Sequence, residues 1–135
     1  MTVSVARSFE PEVTRAFRFL VTEHALVAEY GPNLVQFSGP GVAYMIVFDL
    51  DSHAVSTSVA RDLGAVRLVS ELPALVRSAA LGNPAAVPCG AGTLTEMRAS
   101  INAHAHYIRR LQPYLTPLNV RPLMRAAHAR ELRSA

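Results

Sequence analysis

Three groups of residues have the types and spacing that could do chemistry. Asp49, Asp51 and His53 alternate along the chain. In an extended segment their side chains would share one side, as ligands of a hard or mixed metal site do. The calcium-loop pattern fails here, because it needs a glycine and a later glutamate where Ala54 and Ala60 stand. A hairpin turn with exposed acids is the plainer account, since turns favour Asp and Ser. Cys89 lies in Pro88-Cys89-Gly90-Ala91-Gly92-Thr93, just before an expected helix. A helix N-terminus can lower a thiol pKa and make a nucleophile, but no histidine is tied to Cys89 by spacing, and nucleophilic catalysis needs a base in reach. The same glycines could present amides to a phosphate; the dinucleotide spacing and the phosphate-binding lysine are both missing. His104 and His106 sit two apart, which on a helix is about 200° of rotation, so one metal does not easily take both. His104 reads as a hydrogen-bonded core or interface histidine and His106 as a solvated one.

The fourth group, the cations of the C-terminal part, carries the strongest lead. Residues 1–64 hold four arginines and seven acids, and residues 97–135 hold seven arginines and one acid, Glu131. Arg109 and Arg110 close one expected helix. Arg121, Arg125 and His128 fall on one face of the next at i, i+4 and i+7. Such a face suits phosphates or an acidic protein patch. Arginines near helix ends also complement the dipole and solvate the surface, which is the structural account. All 13 basic residues are arginine, a bias that GC-rich codon usage explains together with the many alanines. Lysine-base, Schiff-base and Walker-type chemistry is excluded with the lysines.

The elements that must position these groups follow from periodicity. Ser8-Phe9-Glu10-Pro11 is expected to open a first helix, with Glu10 and Glu12 in its first turn and Val13, Phe17, Leu20 and Val21 on its buried face. Short strands follow at residues 25–30, 34–38, 42–50 and 54–60, with a fifth expected near 65–69. Gly31-Pro32-Asn33 and Gly39-Pro40-Gly41 mark turns. Connections this short make antiparallel neighbours. Ser70 is expected to cap a helix through Leu72, Leu75, Val76 and Ala79. Thr93-Leu94-Thr95-Glu96 reads as a capping box for a helix to about Gln112. Its apolar stripe runs Leu94, Met97, Ile101, Ala105, Ile108, Leu111. A last helix is expected from about Val120 to Arg133.

The expected fold is therefore α+β in a single domain, 1–135: residues 1–69 form an N-terminal helix and a four- to five-stranded antiparallel meander, and residues 70–135 form C-terminal helices packed on one face. The chain is long enough to bury a real core. It has no apolar run of transmembrane length and no signal-peptide pattern at its start, so a cytoplasmic location is expected. One cysteine excludes an internal disulfide. No cofactor or metal is expected. Its apolar richness favours a homodimer.

Phe17-Arg18-Phe19-Leu20-Val21, then Val35-Gln36-Phe37-Ser38-Gly39-Pro40-Gly41-Val42, a helix through Leu72 and Leu75, and a late helix with a Tyr-x-x-Leu-type ending carry a resemblance. The chain resembles small bacterial α+β proteins, some similar to immunity proteins of polymorphic toxin systems. The resemblance implies protein binding and brings no catalytic residues. The expectation is a non-catalytic module that occludes a protein partner, with Arg109, Arg110, Arg121, Arg125 and His128 as charged contacts and Tyr44 as the apolar one. The alternatives are an anion or nucleic-acid binder on the same basic helices, and a small enzyme using Cys89 or Asp49, Asp51 and His53.

Overall fold

The computed structural model describes residues 5–133. Part of the N-terminal stretch read for a leader lies outside the described residues. Helices α1 (Val5–Ala16) and α2 (Arg18–Thr22) precede five strands: β1 (Val27–Gly31), β2 (Leu34–Gly39), β3 (Val42–Asp49), β4 (Ala54–Leu63) and β5 (Val66–Glu71). Helices α3 (Leu72–Ser78), α4 (Leu94–Leu111) and α5 (Val120–Ala126) follow, and β6 (Arg130–Arg133) comes last. Among the described residues six strands form one sheet in the order β1-β2-β3-β4-β5-β6, every neighbour antiparallel. The meander and the α+β class are as expected; the strand number is one higher than the expected maximum.

The extra strand corrects the reading of residues 127–133 as helix. α5 stops at a reversal in which His128 takes φ 53° and the Ala129 amide donates to the Met124 carbonyl at 2.9 Å. Arg130–Arg133 then pairs with β5. Without it, β5 would present an open edge of unpaired amides and carbonyls. That pairing outweighs the modest helix propensity of Arg-Glu-Leu-Arg. The C-terminal part thus completes the sheet of the N-terminal part.

Local chemistry sets the register. The loops Pro32-Asn33 and Pro40-Gly41 place Asn33 at φ 55° and Gly41 at φ 76°, the positive value a type II turn needs after its proline. Gly64, at φ 71°, begins the two-residue turn between β4 and β5. With register pinned, alternate residues share a face. Val35, Phe37, Tyr44, Ile46, Phe48, Val55, Thr57 and Val59 form the buried face. Phe9 of α1 meets Phe48 edge-on at 5.7 Å, and Phe17 stacks on Phe37 at 5.9 Å. Met97, Ile101, Ile108 and Leu111 of α4 lie in the same core. Full burial of each such side chain contributes about 1.5–3 kcal/mol.

Two helix starts differ from expectation. α1 already runs at Val5, so Pro11 lies inside it and Glu10 and Glu12 are not in its first turn. Glu12 instead turns inward and joins α1 to α4, accepting from Arg15 at 2.6 Å and from Arg98 Nε at 2.8 Å. Burial raises its pKa, but the hydrogen bonds and charges of the two arginines outweigh that and hold the carboxyl below its usual range. Ser70 belongs to β5, and Glu71 is the residue preceding α3, with no side-chain cap.

α3 ends in a tight reversal. The Leu81 amide donates to the Val76 carbonyl at 2.9 Å, and Ala80 sits at φ 56°. This is the position at which helices prefer glycine. Replacing Ala80 with glycine removes left-handed strain, against the extra backbone entropy of glycine, and is expected to raise stability by about 0.5–1 kcal/mol. A higher denaturation midpoint with an unchanged slope is the measurement that checks it.

Candidate functional site

Most groups with catalytic potential are engaged in holding the fold. Asp49 ends β3, and its Oδ1 accepts from the Asp51 amide at 2.9 Å and the Ser52 amide at 3.4 Å. These bonds, the Asp51 amide foremost, keep its carboxyl below the usual range. Residues 50–53 form the loop between β3 and β4, with His53 at φ 50°. The extended alignment of Asp49, Asp51 and His53 is therefore corrected: a turn replaces it, because the Asp49 side chain caps the loop. Among the described residues no group of three His, Cys, Asp or Glu is arranged to hold a metal.

The loop before α4 is occupied in the same way. The Thr93 hydroxyl accepts from the Glu96 amide at 3.1 Å, and the Glu96 carboxylate reaches back to the Gly92 amide at 2.9 Å. The Ala91 amide donates to the His53 carbonyl at 2.8 Å. A carboxylate already stands where a phosphate would bind. Cys89 is exposed beside this loop, and its carbonyl accepts from the Val55 amide at 2.8 Å.

His104 is buried in α4. Its Nε2–H donates to the Pro88 carbonyl at 2.7 Å, because a carbonyl can only accept. Nδ1 then accepts from the Thr57 hydroxyl at 2.8 Å, which fixes the neutral tautomer. Burial pushes its pKa down, against the Pro88 hydrogen bond. His106 is exposed. Both follow the sequence reading.

The expected contact residues do not form one zone. Arg109 lies over the Phe19 ring at 4.3 Å and grips Glu23 with two bonds of 3.3 and 3.1 Å, so its charge is largely compensated within the chain. Tyr44 is 3% exposed, its hydroxyl accepting from Gln112 Nε2 at 3.1 Å, which corrects its role as an exposed apolar contact. It stands on the helix side of β3 because its neighbours in register, Phe37 and Val59, do. His128 is exposed at the reversal after α5, so the i, i+4, i+7 face stops at Arg125. Arg110 is exposed, with no ion pair among the described residues.

Arg121 and Arg125 do come together. With Leu63, Val66, Leu68 and Glu131 they line a hollow of about 200 Å³ where α5 overlies β5 and β6. Neither arginine forms an ion pair with Glu131 among the described residues. Arg130 and Arg133, both exposed, stand on the adjoining strand. Sequence reasoning missed their placement because four residues of β6 are too short to show a period.

Two further features were not legible. Arg61 of β4 faces the helix side, opposite Val42 and Leu68, in a second cavity. The opposite face of the sheet carries Val27, Met45 and Leu132 at 63%, 36% and 47% exposure. Rows of Ser38, Ala43, Ala60 and Val69 and of Glu29, Gln36, Met45, Ser58 and Glu71 cross this face. No helix of the described residues is long and apolar enough to cross a membrane.

Compared with known proteins, the chain matches no family model, no curated protein and no solved structure.

The buried neutral imidazole makes stability depend on pH. Because the folded state lowers the His104 pKa, the unfolded chain binds more protons as the ordinary value near 6.5 is approached from above. His104's contribution is therefore complete above that value and is lost as pH falls below it. Urea unfolding is expected to show stability dropping between about pH 7 and pH 5. His104→Gln, which can keep both hydrogen bonds without titrating, is expected to flatten that limb.

Proposed function

We propose that the protein is a non-catalytic binding module that occludes an acidic surface of a protein partner, immunity-like in mode. One observation carries this reading. Arg121 and Arg125 flank an apolar floor of Leu63, Val66 and Leu68 and are exposed, while Arg133, opposite Val66 in register, extends the positive surface next to them. Paired guanidinium groups over an apolar floor are the type of anchor that dominates protein interfaces. Charge complementarity then selects an acidic partner and speeds encounter. The engagement of Asp49, His104 and Glu96 in structural hydrogen bonds supports the non-catalytic part.

The test is affinity capture from the native host, followed by titration of the captured partner's own activity. The double variant Arg121→Glu, Arg125→Glu is expected to lose the partner by at least about 100-fold in affinity while its unfolding midpoint stays near that of the parent. Inhibition is expected to be complete at one equivalent. Retained capture by the variant removes these residues. Binding that instead goes to nucleic acid and falls steeply with salt supports the phosphate-binding alternative.

For the uncovered sheet face we propose a second copy of the chain. A two-fold axis along the strands stacks β1 on the other copy's β6. Val27 of one copy then stands over Arg130 of the other, with Glu29 one cross-strand row, about 7 Å, along the strand, twice over, around a centre of Met45 and small side chains. Sedimentation is expected to report a dimer that Met45→Glu converts to monomer. A monomeric parent at high concentration rejects this arrangement.

A further inference from the structure

Arg61 is half-buried, with one of its donors enclosed. The alternation of β4 puts it on the same face as Val55, Thr57 and Val59, beneath the helical layer. Its register neighbours on that face are Val42 and Leu68. Its Nε is shut off from solvent and has no hydrogen-bond partner among the described residues. No carboxylate within the described residues forms an ion pair with it. The acid in the same cross-strand row, Glu131, is two strands away, about 10 Å at the usual strand spacing. Buried donors are almost always paired, and an unpaired one at a cation is expensive to keep.

The surroundings complete a site. Arg61 lines a cavity of about 360 Å³ together with His24, Leu26, Pro40, Val42, Tyr44, Gln112, Leu115 and Thr116. Arg61 is the one arginine in that lining, and no acid is among these residues. Tyr44 and Gln112 hold each other at 3.1 Å, which fixes two polar groups beside the guanidinium. Leu26, Val42 and Leu115 supply an apolar wall. The exposed His24, Pro40 and Thr116 form the solvent side.

We infer that this cavity binds a small organic carboxylate, a monoanion with a compact apolar body. The guanidinium fork matches a carboxylate in two parallel hydrogen bonds. One cation with neutral polar neighbours balances one negative charge, whereas a phosphate dianion would leave one charge uncompensated. The apolar wall takes the body of the ligand, as in most small-molecule sites. The volume, about a dozen waters' worth, admits a ligand of benzoate size. The site is separate from the Arg121–Arg125 hollow and does not depend on the partner proposed for it.

The probes are benzoate, its neutral analogue benzamide, and inorganic phosphate, each titrated into ¹⁵N-labelled full-length protein. Benzoate is expected to shift the Arg61 Nε–H and Gln112 side-chain amide signals with a dissociation constant of about 1 mM or tighter. Benzamide is expected to bind at least about ten-fold more weakly. Arg61→Met, which keeps the stem and removes the charge, is expected to lose benzoate by a similar factor while its unfolding temperature is unchanged or higher. Three results each overturn the inference. They are no shift with benzoate, equal shifts with benzoate and benzamide, and undiminished benzoate binding by Arg61→Met, which would leave Arg61 as a stem packed over the core. Phosphate binding more tightly than benzoate overturns the assignment to a monocarboxylate.

Discussion

The structure depends on burying one face of a six-stranded antiparallel sheet under α1 and α4. Strand side chains alternate, so a buried face forces its complement outward. Phe37, Tyr44, Ile46, Phe48 and Val55 go inside together once the turns at Asn33 and Gly41 set the register. The helices answer with Phe9, Phe17, Met97, Ile101 and Ile108. A one-residue slip in β3 would turn Tyr44, Ile46 and Phe48 to solvent and bring Met45 and Val47 in their place. The polar contacts within the core are secondary to this packing, yet they are directional. His104 to Thr57 ties α4 to β4, and Glu12 to Arg98 ties α1 to α4. They hold the helical layer at one angle on a surface that dispersion forces alone would let it slide across.

The same alternation makes Arg61 an exception worth weighing. Its stem can pack over neighbouring apolar side chains like that of any long residue. Its Nε nevertheless meets neither water nor a protein acceptor among the described residues. Burial also raises the pKa of the neighbouring Tyr44 phenol, against the Gln112 hydrogen bond and the Arg61 charge, so the pair stays a neutral donor and acceptor beside a fixed cation. The site sets the strand residues Val42, Tyr44 and Arg61 against the turns that carry His24, Leu26, Pro40, Leu115 and Thr116.

Charge along the chain does not translate directly into charge in space. Arg109 is drawn onto Phe19 and Glu23, so one of the C-terminal cations is spent on the N-terminal acids. Arg98 goes to Glu12 for the same reason. What remains positive gathers where α5 meets β6, because the reversal at His128 folds β6 back and puts Arg133 on the face of Arg121 and Arg125, with Arg130 on the other face. The acidic and basic halves thus interlock at the helix layer and leave a smaller basic end than their separation in sequence suggested.

The sequence alone determined the elements whose signal is local. The capping box at Thr93, the stripe of α4, the Pro-Asn and Pro-Gly turns and the strands β2 to β4 between such turns each arise from interactions within a few residues, and each is present. His104 as a bonded core histidine and the Asp49 loop as a turn were legible for the same reason. Tertiary structure decided whatever depends on a distant partner. β6 exists because β5 has an edge to fill, Tyr44 is inside because the segment after α4 brings Gln112 against it, Arg109 is compensated because α2 brings Glu23 alongside, and the Nε of Arg61 is enclosed because Arg61 sits in a hollow with Gln112, Leu115 and Leu26. Those contacts join residues up to 86 positions apart, and hydrophobic period carries no information about which charged side chain will meet which.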